Sequence, residues 1–179
     1  MANNDWKINQ STTTQVDRFK ITIDEVLLAN QQTHQFSYVQ FRDGVCILAI
    51  TEDDHVLMLK QYRHPLHSIE LEFPAGMIEE EEDPLMAAKR ELLEETGYQS
   101  NQWIALDYFY PSAGSTTEKI HLFLATDTVR IAEQELEELE EIELEKVPID
   151  QFYQLVENGQ FRHGAGLACW ARYLSMVRN

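Results

Sequence analysis

Apolar and polar residues alternate with period two at Phe19, Ile21 and Ile23, the pattern of a half-buried strand. A second run, Phe36 to Phe41, is its expected partner across the polar stretch Ala29 to Thr33. Denser apolar runs follow. Val45 to Ile50 and Val56 to Tyr62 flank the turn-forming Glu52-Asp53-Asp54 and predict a buried hairpin. A short strand, Ile69 to Phe73, leads into Pro74-Ala75-Gly76, and Trp103 to Tyr110, Lys119 to Ala125 and Ile142 to Val147 read as further strands. The first two of these are joined by the loop Pro111 to Thr117. Residues 1–16 show no sustained period and are expected to be loosely held.

The period changes from two to 3.6 after Asp83. Asp83 can cap a helix, Pro84 suits its first position, and Gly97 can end it, which predicts a helix over Pro84 to Thr96. The acidic stretch Ala132 to Glu141 is read as a possible helix. Two helices are expected at the end of the chain. One starts at Asp150 with Phe152, Leu155 and Val156 on its inner side and stops near Gly159; the other turns Leu167, Trp170, Ala171 and Leu174 inward. Strands and helices mix without strict alternation, the pattern of an α/β or α+β fold, and no repeat or Pro/Gly/Ser linker interrupts it.

Length and composition bound the function more than they identify it. A chain of 179 residues fits one core with an N-terminal appendage. Its formal net charge of -17 argues against nucleic acid as a partner, since a phosphate backbone is bound by clustered Lys and Arg. A phosphate-bearing substrate would need a cation as adaptor. No apolar stretch is long enough for a membrane span and the start MANNDWKINQ lacks a secretory pattern, so the expected location is cytoplasmic. Cys46 and Cys169, far apart in apolar surroundings, read as reduced core thiols.

Candidate chemistry concentrates on the helix from Pro84. Glu91, Glu94 and Glu95 stand at i, i+3 and i+4, so three carboxylates share one face, while Leu85, Ala88 and Leu92 form an apolar docking side. Like charges so placed cost about 0.2–0.5 kcal/mol per pair. The three glutamates alone would read as a solvated face with Arg90 pairing to Glu94. A bound hard cation would also relieve the repulsion, and oxygen ligands favour Mg²⁺ or Mn²⁺ over zinc. Counting from Gly76, five residues precede Glu82 and seven more precede Arg90-Glu91, followed by Leu92, one residue, Glu94-Glu95, one residue, Gly97 and Tyr98.

This spacing resembles the Nudix box, with Tyr98 in the one position where the family has an aliphatic. The resemblance implies a Nudix fold: a mixed sheet sandwiched between helices, here with an N-terminal antiparallel sheet. It implies metal binding by Glu91 and Glu95, by Glu94 and Glu82 directly or through water, and by the Ala75 carbonyl, with Arg90 orienting the glutamates. Metal-assisted hydrolysis of a pyrophosphate linkage is the expected reaction. By this reading residues 1–43 form a strand region for dimerisation and 44–179 the hydrolase domain.

The stretches Gln61 to Pro65, Glu70 to Gly76, Tyr110 to Gly114 and His121 to Ala125 look like those of the ADP-ribose pyrophosphatase branch. That likeness implies hydrolysis of ADP-ribose or a related nucleoside diphosphate sugar to a nucleoside monophosphate and a sugar phosphate. It assigns Arg63 to substrate phosphate, Glu72 to the neighbourhood of substrate and metal, and N-terminal aromatics such as Phe36 to the base, within a homodimer. Ala113 departs from the branch, which has proline there; this leaves open GDP-mannose and other nucleotide sugars, or a non-catalytic nucleotide-metabolite-binding Nudix module. In the branch a glutamate shortly before a strand ending in Val-Pro activates water. Counting back from Val147-Pro148, Glu140 best fills that place, with Glu138 and Glu141 as alternatives. His34, His64, His67, His121 and His163 show no ligand spacing and are assigned no catalysis.

Overall fold

The structure is a computed structural model that describes residues 6–177. It comprises two compact units: the chain through Arg42 together with Ser112–Glu118, and Asp43–Pro111 together with Lys119 onward.

The first unit is an antiparallel sheet of β1 (Lys7–Val16), β2 (Phe19–Leu27) and β3 (Thr33–Gln40), with β2 in the centre. From Lys7 onward the expectation of a loosely held start is corrected; residues 1–5 lie outside the described part. All of β1 is exposed, so no burial imposes an apolar period on it. Its order comes instead from ladder bonding to β2 and from β-branched cross-strand pairs such as Thr13 and Thr22, whose hydroxyls lie 2.8 Å apart. β3 starts at Thr33, three residues earlier than its apolar pattern shows. Ser112–Glu118 straps onto β3: the Val39 amide donates to the Ser115 carbonyl (2.9 Å) and the Val39 carbonyl accepts from Thr117 (3.1 Å). The amides of Ser115 and Thr116 both donate to the Ser112 carbonyl at 2.9 Å, so the turn around Ala113 closes without proline.

The second unit is a mixed sheet with helices on both faces. Its central strands are β4 (Gly44–Thr51) and β5 (His55–Arg63), followed by β6 (Ser68–Glu72), β7 (Ala75–Met77) and α1 (Pro84–Thr96). After them come β8 (Tyr98–Gln99), β9 (Gln102–Phe109), β10 (Ile120–Arg130), β11 (Ile142–Pro148), α2 (Ile149–Glu157) and α3 (Gly164–Val177). The path runs β11-β5-β4-β10-β8, with β6 added to β5, β7 to β4 and β9 to β10; β4 and β10 are parallel.

The alternation of β4 explains its unbroken apolar run. Val45, Ile47 and Ala49 pack with Ala87, Ala88 and Leu92 of α1, whereas Cys46, Leu48 and Ile50 pack with Phe152 of α2 and Cys169 and Trp170 of α3. A strand covered on both faces has no polar side to show. Tyr98 is buried in the α1 cluster, so it packs where the family has an aliphatic. No helix among the described residues is long and apolar enough to cross a membrane.

Three expectations are corrected. β4 and β5 are not a regular hairpin: they share only the pair Ile50↔Val56, because β7 takes the edge of Gly44–Cys46 and β6 takes that of Leu59–Arg63. The two strands splay, and the segment joining β6 to β7 sits in the opening. Ala132 to Glu141 is not a helix. Its acidic side chains repel at helical spacing, and its chain is tied elsewhere: Glu135 N–H donates to the Glu94 carbonyl (2.8 Å) and Gln134 Nε2 to the Glu95 carbonyl (2.6 Å). On α3 the inward residues are Ala165, Cys169 and Trp170, with Leu174 partly buried, while Leu167 and Ala171 are exposed. The small residues face inward because they allow close approach to the sheet.

The α1 boundaries agree with their signals. The Asp83 carboxylate accepts from the amides of Leu85 (2.9 Å) and Met86 (3.4 Å), and Gly97, at φ 74°, donates to the Leu93 carbonyl (2.7 Å). A Cβ on Gly97 would stand 2.2 Å from the Ala132 carbonyl oxygen. Gly97→Ala therefore combines a disfavoured backbone angle, about 1–3 kcal/mol, with a backbone collision. Thermal unfolding should show the melting temperature lowered by at least about 5 °C.

Candidate active site

Docking of α1 through Ala87, Ala88 and Leu92 turns Glu91 and Glu95 toward the β7 segment and buries both; Glu94 stays half exposed. The Glu95 carboxylate accepts from the Ala75 amide at 2.9 Å. Burial pushes the Glu95 carboxyl well above the usual carboxylate range, and this single bond only partly opposes it. The Glu91 carboxyl is also pushed up by burial, against the pull of Arg90. Gly76 makes room for it: a Cβ there would lie 2.0 Å from Glu91 Oε1.

Arg90 gathers the remaining charges. Nε and Nη2 donate to the two Glu82 oxygens (3.0 and 2.9 Å), and Nη1 donates to Glu91 (2.8 Å) and Glu94 (3.1 Å). Nη2 also donates to the Met77 carbonyl (3.0 Å). This grip lowers the Glu82 carboxyl and raises the guanidinium further above its usual value. Among the described residues no three His, Cys, Asp or Glu side chains form a ready metal cage. The donor set still fits a hard divalent cation: it is all oxygen, and two of its carboxylates are buried with their charge only partly offset.

A second wall is built from the end of β5, from β6 and from the start of α3. Arg63 forks onto Glu72, Nε to Oε1 at 2.7 Å and Nη2 to Oε2 at 2.6 Å, which raises the Arg63 guanidinium. Both line a cleft of about 680 Å³ with Leu66, Glu70, Arg162 and His163. His163 was given no site role by its sequence spacing. In the fold its Nδ1 accepts from the Phe73 amide (3.1 Å) and its Nε2 lies 3.6 Å from Glu72 Oε2. It lies 90 residues from Phe73, a pairing that only the tertiary fold reveals.

Glu140 lies on the loop before β11, where its carboxylate accepts from the Glu137 amide (2.9 Å). Its negative charge is felt by Glu91, Glu95 and Arg63, so it lies within electrostatic reach of the same centre. Glu138 and Glu141 are exposed. Phe36 lies in the first unit, in a row with Trp6 and Tyr38, with ring centroids 6.2 and 6.5 Å away. The fold thus collects Ala75, Glu82, Arg90, Glu91, Glu94 and Glu95 around the start of β7, with Glu140 within electrostatic reach and Arg63 and Glu72 on the adjoining wall.

Residues 40–167 match the family model of the NUDIX domain. The ADP-ribose pyrophosphatase of Bacillus subtilis (strain 168) is 34% identical over 155 residues, 86% of this chain and 83% of that protein. The methanol dehydrogenase activator of Bacillus methanolicus is 37% identical over 139 residues, 77% of this chain and 75% of the relative. In three dimensions the crystal structure of an ADP compounds hydrolase aligns with a TM-score of 0.86 at 22% identity, over 97% of this chain and 94% of that one, which shows the shared fold. With its box, its sandwich and these relatives in agreement, the chain belongs to the Nudix family.

Proposed function

We propose that this Nudix protein hydrolyses the pyrophosphate linkage of ADP-ribose or a related nucleoside diphosphate sugar, releasing a nucleoside monophosphate and a sugar phosphate. The observation that carries this reading is the buried pair Glu91 and Glu95 beside the Ala75 segment, with Glu140 within electrostatic reach. The Bacillus subtilis relative supports the choice of ADP-ribose.

Glu91, Glu95, Glu94 and Glu82, with the Ala75 carbonyl, would hold Mg²⁺, or Mn²⁺ in its place. When bound there, the cation would neutralise phosphate charge and make water a better nucleophile. Arg63 keeps its fork on Glu72 and presents its remaining Nη1 as a donor for a phosphate oxygen. Arg90 holds the carboxylates in register. Glu140 accepts the proton of the attacking water on a carboxylate oxygen, while its bond to the Glu137 amide limits its rotation.

A panel of nucleoside diphosphate sugars, dinucleotides and nucleoside triphosphates, incubated with Mg²⁺ or Mn²⁺, tests the proposal by product identification. AMP and ribose 5-phosphate from ADP-ribose, abolished by EDTA and restored by Mg²⁺, are the expected result. Exclusive cleavage of triphosphates would overturn the substrate class, and no turnover would leave a binding module. Glu140→Gln should lower kcat by about 10²–10⁴-fold with little change in KM; intact turnover would move the base elsewhere.

The proposal includes a homodimer joined through the first unit, supported by exposed Trp6, Ile8, Val16, Ile23 and Phe36 on one small sheet. Light scattering should give twice the chain mass. A cytoplasmic setting belongs to the same reading, in keeping with two buried free cysteines.

A further inference from the structure

We infer that His163 is a positioning residue: by accepting the Phe73 amide hydrogen and facing Glu72 from the other side of its ring, it sets the segment that carries Glu72 and Ala75. The inference rests on the proposed roles of those two residues and adds a third group, just before α3, that controls them.

External hydrogen bonds from three elements hold this segment. The Phe73 amide, just past the end of β6, donates to His163 Nδ1 (3.1 Å). The Pro74 carbonyl accepts from Ile47 (2.8 Å) and the Ala75 amide donates to Glu95 (2.9 Å). Ile47 and Glu95 belong to β4 and α1, so His163 supplies the anchor from the opposite face of the sheet. Proline at 74 has no amide of its own, which leaves the Phe73 amide as the hydrogen-bond donor between Glu72 and Ala75.

The residue is itself fixed. The His163 backbone carbonyl accepts from the Leu167 amide (2.8 Å) at the first turn of α3, and the imidazole packs edge-on with the Phe161 ring, centroids 6.2 Å apart. Gly166 leaves the space: a Cβ there would fall 2.5 Å from Phe161 and 3.0 Å from His163 Nδ1. Because Nδ1 accepts, the neutral ring carries its proton on Nε2. Burial favours that neutral form by pulling the imidazole below its usual pKa. The Nε2 hydrogen therefore faces Glu72 Oε2 at 3.6 Å, beyond hydrogen-bond length but favourable to the negative oxygen, while Arg63 holds the same oxygen at 2.6 Å. Glu72 is steered from two sides.

Two substitutions separate the ring's functions. Asn places an oxygen near the position of Nδ1 and can still accept from Phe73; Ala removes both contacts. In amide hydrogen exchange of the metal-free protein, His163→Ala should speed Phe73 and Ala75 by about 10-fold, and His163→Asn should restore slow exchange. Turnover of the cleaved substrate should fall about 10–100-fold in kcat/KM for Ala and recover in part for Asn, which keeps the Phe73 contact but lacks a group at Nε2. Unchanged exchange at Ala75, or failure of His163→Asn to restore slow exchange at Phe73, would overturn the inference. If the parent protein cleaved no pyrophosphate, the proposed function would fall while the exchange result would still decide the role of His163.

Discussion

Replacing Glu95 with Gln should abolish pyrophosphate cleavage, lowering kcat by at least about 10³-fold, without lowering the melting temperature of the metal-free protein. The two halves of this result have one cause. Glu95 is 3% exposed, accepts a single hydrogen bond from Ala75, and has Glu91 and Glu140 among its charged neighbours, with Arg63 as the smaller opposing charge. Burying such a carboxylate disfavours folding, and it is retained for what the charge can bind. Gln keeps the length and can offer its Oε1 to the same amide, so packing and the hydrogen bond survive while the charge is lost. Calorimetry of the parent and the variant, with and without Mg²⁺, checks both halves. Stabilisation by Mg²⁺ should appear in the parent and be much reduced in the variant. A variant that retained activity within a few-fold would remove Glu95 from the metal set.

Gly76→Ala should likewise separate site from fold. Its new Cβ meets the carboxylate end of Glu91 rather than backbone, and a flexible side chain can rotate away. The loss should therefore be catalytic, about 10²-fold or more in kcat/KM, since a displacement of about 1 Å at a reacting centre has that effect. Stability should change by less than about 1 kcal/mol. Steady-state kinetics beside a urea melt make the comparison. A large drop in stability with proportionate loss of activity would show that Gly76 serves the backbone instead. The contrast with Gly97→Ala, where the collision is with a carbonyl at positive φ, makes the two glycines of one motif distinguishable by measurement.

The sequence was legible where burial or capping leaves a local mark. Asp83, Pro84 and Gly97 marked α1 correctly, and the apolar runs of β4 and β5 marked the centre of the sheet. It was misleading where order comes from partners distant in the chain. β1 is fully exposed and is held by pairing, so its composition resembles a loose end. The acidic stretch before β11 reads as helix by composition, yet its backbone and Gln134 bond to the carbonyls of Glu94 and Glu95. The α3 phase was misassigned because Ala165 and Cys169 face inward in place of the larger Leu167. At the site the carboxylates were visible through their helical spacing, whereas His163 was not, because its partner Phe73 is on another element. Among Glu138, Glu140 and Glu141 the count back from Val147-Pro148 favours Glu140, and the charge of Glu140 acts on Glu91, Glu95 and Arg63.

The grip of Arg90 on Glu82, Glu91 and Glu94 has a further consequence for how the protein lives with its cofactor supply. The guanidinium is a built-in counter-ion, so the acidic helix need not wait for an external one before it folds. Loading then becomes a reversible occupancy, following the free ion concentration as a saturation curve rather than as a folding transition, and a stripped sample can be recharged without passing through the unfolded state.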